Sequence, residues 1–344
     1  MRSTADRIRR AATLGSEVPR GEFPVRVHSV FHAALNLSPP NGDILTLLSA
    51  EVDDLPRSVR LASAEDFAVL GLAPGDRGVF TVDGIELERS AGRGRFQVDC
   101  VAARRLGARP IPPLQGDGER WRAGVALLEA LQERAATDLR IAPLLAGARS
   151  SGAMGERLTQ AALELGRGVR AGRLDAMRGA AARLVGLGPG LTPAGDDFLC
   201  GFLAAGHCRR AAGLACEQRL ESFAEAVRAF VGQTTEISAG FLRDALAGRV
   251  SRPLAALAEA CSGAPGSDLP NALQRLAAIG HSSGMDAATG FFYGAAIWRY
   301  AFERVARAPI GDFLTEKTTS LRSRSVAGAL AAQQRGAADP APAQ

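Results

Sequence analysis

Residues 119–135, "ERWRAGVALLEALQERA", are where the chain changes period. Trp121, Val125, Leu128 and Leu131 form one apolar stripe at three- and four-residue spacing, which predicts an amphipathic helix. Upstream the pattern is different. "VRVHSVF" (25–31) alternates, "NGDILTLLS" (41–49) starts from an Asn-Gly turn, and "RGVFTVDGIELER" (77–89) sets Asp-Gly between two short strands. Asp-Gly tolerates positive φ, so this last stretch predicts a hairpin with a type I′ turn. "GRFQVDCVA" (94–102) closes the series. Short strands at this spacing predict a small antiparallel sheet or barrel. Downstream, helical patterns recur at about 155–170, 173–186, 193–212, 216–231, 236–247, 252–261, 268–279 and 284–306. The fold class expected is α+β: a β-rich N-terminal domain followed by a larger all-α helical C-terminal domain. The boundaries are 1–24 for an N-terminal extension, 25–115 for the β-rich domain, 116–308 for the helical domain and 309–344 for a mobile tail.

At 344 residues there is room for two domains, and 47% hydrophobic content is that of an ordinary globular chain. The formal net charge of +5 does not point to nucleic acid. The basic residues are almost all arginines spread along the chain, and two Trp and two Tyr leave little to stack on bases. The five cysteines, Cys100, Cys200, Cys208, Cys216 and Cys261, include no C-x-x-C pair. They read as small buried residues in a reducing compartment rather than as zinc ligands or a disulfide framework. "MRSTADRIRRAATLG" (1–15) lacks the apolar core of a signal peptide, and "FFYGAAIW" (291–298) falls far short of the roughly 20 residues that span a bilayer. A cytoplasmic protein without membrane contact is expected.

The chemistry is concentrated in three helix starts. In "VGLGPGLTPAGDDFLCGFLAAGH" (185–207), Gly186, Gly188 and Gly190 alternate, so backbone N–H groups can approach a ligand. Thr192 is placed to cap a helix with Pro193 at its first position, and Asp196 and Asp197 fall in the first turn. Two adjacent acids diverge by about 100° on a helix, so one can cap while the other faces a ligand. A glycine loop feeding a helix N-terminus suits an anion, although the G-K-[ST] of a P-loop is missing. In "GQTTEISAGFL" (232–242), Thr234 or Thr235 caps a helix, leaving a spare hydroxyl and Ser238 on the next turn. In "IGHSSGMDAATGFF" (279–292), Gly280 ends one helix, Ser282 or Ser283 caps the next, His281 sits in the joint and Asp286 in the first turn. Each segment alone reads as a capped helix. Together, if the three N-termini converge, they make one electropositive pocket edged with carboxylates.

These three segments, in this order, resemble the AllH-like family. The resemblance is carried by "GLGPGLTPAGDDFLCGFL", by "TTEISAGFLRDALAG" with "PLAALAEA", and by "AIGHSSGMDAATGFF", with "HAALNL" and "NGDILTL" similar in the N-terminal half. It covers about residues 25–300. The resemblance implies a subunit of an oxamate carbamoyltransferase, converting oxalurate and phosphate to oxamate and carbamoyl phosphate in anaerobic allantoin and purine degradation. It implies an assembly with FdrA-like and AllG-like partner subunits. Carried over as catalytic candidates are Asp196, Asp197 and His281. Carried over as substrate-binding candidates are Gly188, Gly190, Thr192, Gly195, Thr234, Thr235, Ser238, Ser282, Ser283, Gly284 and Asp286. A divalent cation such as Mg2+ at Asp196/Asp197 is an open option. The basic loop with which familiar transcarbamoylases hold phosphate is missing, so a partner subunit or an unrelated scaffold must supply that function. Two alternatives come from other classes: a non-catalytic metabolite-binding or scaffolding subunit, and a stand-alone carboxylate or phosphate sensor.

Overall fold

The computed structural model describes residues 8–40, 42–90, 94–108, 111–114, 118–135, 137–210 and 214–300. Its N-terminal part is an eight-stranded barrel. The strands are β1 (Arg9–Leu14), β2 (Phe23–Val30), β3 (Ala34–Ser38), β4 (Leu45–Leu48), β5 (Ser58–Leu61), β6 (Arg77–Phe80), β7 (Gly84–Glu88) and β8 (Arg95–Asp99). They run around the ring in the order β5-β4-β3-β2-β6-β7-β8-β1, and β1 closes it by pairing with β5. A two-residue strand, β9 (Arg104–Arg105), lies beside the second half of β1. Alternate residues point inward, as the period of two requires: Val25 and Val27 from β2, Ile85 and Leu87 from β7, and Phe96 and Val98 from β8 are buried together.

Two expectations are corrected here. Residues 9–14, read as part of an extension before Val25, form the closing strand: Ala11 and Leu14 are core residues, and an irregularity between Ala11 and Thr13 breaks the simple alternation. The β6–β7 hairpin forms, but its two-residue turn is Val82-Asp83, with Thr81 N–H donating to the Gly84 carbonyl at 2.8 Å. Gly84 is therefore in the strand and not at positive φ. Its use is close approach: a Cβ there would collide with the Val98 carbonyl of β8.

The helices are α1 (Glu119–Glu133), α2 (Ile141–Ala146), α3 (Ala153–Ala171), α4 (Leu174–Leu184), α5 (Ala194–Arg209), α6 (Leu214–Arg228), α7 (Glu236–Leu246), α8 (Arg252–Ser262), α9 (Leu269–Ala277) and α10 (Ser283–Tyr300). They enclose a second core built around α5 and α10, which are buried nearly all round. These two helices touch backbone to backbone. A Cβ on Gly201 would overlap the Ala287 carbonyl, and one on Gly290 would overlap the Phe198 carbonyl. The close neighbours step together, Phe198 with Gly290, Phe202 with Gly294 and Gly206 with Trp298, so α5 and α10 run in the same direction. Their N-termini consequently lie side by side.

The barrel meets the helices through ion pairs. Buried Asp244 of α7 accepts from Arg57 at 2.9 Å and from Arg249 at 3.2 Å, and Asp43 pairs with both Arg57 and Arg243. Burial pushes the Asp244 carboxyl upward, and the two arginines oppose that shift. Among the described residues no helix is long and apolar enough to cross a membrane, and Cys100, Cys208, Cys216 and Cys261 are buried free thiols. The tail expected at 309–344 lies outside the described residues.

Candidate functional site

The loop before α5 is tight. Gly186, Gly188 and Gly190 all have positive φ, at 72°, 126° and 90°. The Gly186 N–H, expected to face a ligand, is instead satisfied inside the loop, and so is that of Gly195. Gly186 N–H donates to Asp196 Oδ1 at 2.9 Å, and Gly195 N–H donates to the Leu187 carbonyl at 2.9 Å. Pro193, not Thr192, is the residue at the helix boundary, and no side chain caps α5. The Thr192 hydroxyl is used across the site, bonding Ser283 Oγ at 2.8 Å. That bond ties the start of α5 to the start of α10.

Asp196 and Asp197 part company as their angular separation requires. Asp196 is fully buried and holds three donors: Gly186 N–H, the Ser238 hydroxyl at 2.7 Å and the Thr234 hydroxyl in a short bond. Thr235 caps α7 by accepting from Ser238 N–H at 3.1 Å, and its own hydroxyl donates to the Leu191 carbonyl at 2.5 Å. Thr234 is thus the spare hydroxyl of that motif. Asp196 locks the glycine loop to α7. Burial raises its carboxyl above the ordinary range, and these three donors oppose the rise.

Asp197 faces the other way. Its Oδ2 is buried without a hydrogen-bond partner, and so is Oδ2 of Asp286 on α10. Burial pushes Asp197 well above the usual carboxylate range, the Asp286 charge pushes it further, and the Ser283 and Thr192 hydroxyls pull it back. Burial likewise raises Asp286 to about 7, with the Ser282 and Thr137 hydroxyls opposing and Asp138 reinforcing. With burial raising both carboxyls and the Asp286 charge raising Asp197 further, the pair holds at least one proton near neutrality, and the two unsatisfied oxygens are free to accept from a ligand. An orphaned buried carboxylate oxygen is costly, so the pair marks a place where something polar belongs.

Thr137 and Asp138 were not visible as site residues from the sequence. They precede α2 in a stretch with no glycine or helix-start signature, and they reach Asp286 only through tertiary packing. Gln132 of α1 fixes them there. Its Nε2 donates to the Leu139 carbonyl at 3.1 Å and to Thr289 Oγ1 at 2.9 Å, while its Oε1 accepts from Ile141 N–H at 3.0 Å. Thr137 Oγ1 then stands 3.5 Å from Asp286 Oδ1.

The remaining candidates are solvent-accessible or serve in the packing. Gly190 and His281 are exposed, and Gly188 and Thr235 are half-buried. Gly195 and Gly284 are packing positions, since a Cβ on either would overlap the Leu184 or Leu276 carbonyl. For a cation at Asp196/Asp197 the fit is poor, because Asp196 already carries three donors. Among the described residues no three His, Cys, Asp or Glu side chains gather at metal-ligand spacing.

Residues 184–295 match the family model of oxamate carbamoyltransferase subunit AllH, a span that contains all three helix starts. Residues 4–105 match the AllH family N-terminal domain, a span that contains the barrel. The chain belongs to the AllH family. That family is described as a carbamoyltransferase subunit. No curated protein and no solved structure matches the chain.

Proposed function

We propose that this AllH-family chain is the proton-handling subunit of an oxamate carbamoyltransferase, working on oxalurate and phosphate in allantoin and purine breakdown with FdrA-like and AllG-like partners. The observation that carries the reading is the buried Asp197/Asp286 pair, with one orphaned oxygen on each, beneath the side-by-side N-termini of α5 and α10.

In this reading the carbamoyl group lies over the pair, its N–H2 donating to the free carboxylate oxygen. An oxygen of hydrogen phosphate attacks the carbamoyl carbon, and the bond from that carbon to the oxamate nitrogen breaks. The protonated carboxyl gives its proton to the departing nitrogen, while the ionised one takes the proton released by phosphate. The pair ends the cycle with the single proton it began with. A carboxyl near pH 7 is matched to that exchange in both directions. Thr192 and Ser283 orient the pair, and the helix N-termini favour negative charge in the substrate. His281, exposed just before α10, meets the carboxylate end of oxalurate in this reading. The domain boundaries that follow are a barrel unit and a helical unit, the second carrying the chemistry.

Neither span of the chain carries a basic phosphate loop, so the isolated chain is expected to fold without turnover and to act only in its assembly. Phosphorolysis of oxalurate by the co-expressed subunits, with and without this one, tests the proposal. Carbamoyl phosphate formation by the other subunits alone would assign the chemistry elsewhere, and formation by this chain alone would remove the need for partners. A scaffolding or sensor role predicts ligand binding with unchanged turnover in Asp197→Asn.

A further inference from the structure

A cavity of about 340 Å3 opens between the barrel and the helices and shares no lining residue with the Asp197/Asp286 site. Its walls come from the residues just after β1, the 54–56 loop and β9 on one side, and from α8 and part of α9 on the other. Five arginines line it against two acids, Asp54 and Glu259. Three of the five are already held. Arg105 donates to the Gly15 and Val18 carbonyls, Arg249 pairs with Asp244 and Glu17, and Arg275 pairs with Asp53. Asp54 is held in turn by Arg60 and the Thr13 hydroxyl.

That leaves Arg104 and Arg252. Among the described residues neither has an acid within ion-pair reach, and both line the cavity. One belongs to the barrel and the other to the first turn of α8, so two uncompensated guanidinium groups border one concavity from opposite sides of the seam. The α8 N-terminus adds its positive dipole end to the same wall, and the Ser251 side chain is not spent on capping it. Cavities of this volume suit small metabolites, and paired guanidinium forks suit an oxyanion with several acceptor oxygens.

We propose that this seam cavity binds a small dianion of the phosphate class, with Arg104 and Arg252 as its charged ligands. The bound anion bridges barrel and helices and relieves the repulsion between two positive groups, so occupancy fastens the two parts together. The site is independent of the carbamoyl-transfer reading.

The probe is inorganic phosphate added to the full chain at constant ionic strength, with chloride as the balancing salt. Binding is followed by phosphorus NMR line broadening and by thermal unfolding. Saturable broadening and a rise in Tm are expected. The double variant Arg104→Gln/Arg252→Gln should weaken binding by roughly tenfold or more, because each replacement removes a charge-assisted hydrogen bond. Both side chains are exposed, so the fold is expected to survive, and the Tm without phosphate checks this. Asp197→Asn should bind phosphate at the seam as the native chain does. Absence of saturable binding would overturn the proposal, as would unchanged binding in the double variant. Loss of binding in Asp197→Asn with retention in the double variant would place the phosphate at the helix starts instead.

Discussion

Replacing Asp286 by Asn should make the protein more stable at alkaline pH while removing its activity. The native carboxyl stands at about 7, against an ordinary value of 3.8. A folded-state value above the unfolded one means that the folded chain binds more protons across that window. Stability is then full below about pH 4, falls as pH rises through 7, and stays low above it. At about 1.4 kcal/mol per pH unit the whole difference is somewhat above 4 kcal/mol, and water drawn in beside the ionised pair reduces it to about 1–3 kcal/mol. Asn keeps the shape and an acceptor for Ser282 but never ionises. Thermal unfolding of both proteins between about pH 5 and 8.5 reads the difference. We expect the native Tm to fall more steeply with pH than that of Asp286→Asn, and the variant to be several degrees higher at pH 8. Parallel curves, or a variant less stable than the native protein at pH 8, would refute the reasoning.

Further outcomes follow from the division between the two adjacent acids. Asp196→Asn leaves one acceptor oxygen for three donors, so it should lose about 1–3 kcal/mol of stability, read by denaturant unfolding. Asp197→Asn should fold normally and reduce turnover of the assembly by about a hundredfold or more, read by initial rates. His281→Ala should raise KM for oxalurate with kcat nearly unchanged, because the side chain is exposed and stands outside the buried carboxyl pair. Gly201→Ala should cost about 3 kcal/mol or fail to fold, since the added methyl meets the Ala287 carbonyl.

Much of the order of strands and helices was legible where an element carries its own period, but the short β3, β5 and α2 carry too few residues to show one and were not read. The helical stripe of 119–135 became α1, and the eight later patterns each became a helix, with ends within a few residues except for the 301–306 end of the last, which lies outside the described residues. Strand β1 was not legible, since "RRAATL" is basic and lacks β-branched or aromatic residues apart from Thr13; only its pairing with β5 and β8 reveals it. In the three motifs the residue types were legible but their directions were not. Which of Asp196 and Asp197 turns inward toward Thr234 depends on how α5 is rotated, and the glycine contacts with α10 set that rotation. The part played by Gln132, Thr137 and Asp138 depends wholly on packing between α1 and α10, about which the local sequence is silent.

The most direct test of the central claim is the initial rate of oxalurate phosphorolysis by the purified assembly carrying Asp197→Asn in this chain, with assembly checked by size. The account predicts an intact complex whose carbamoyl phosphate formation is lower by about two orders of magnitude. A complex of normal size that turns over at the native rate would contradict it.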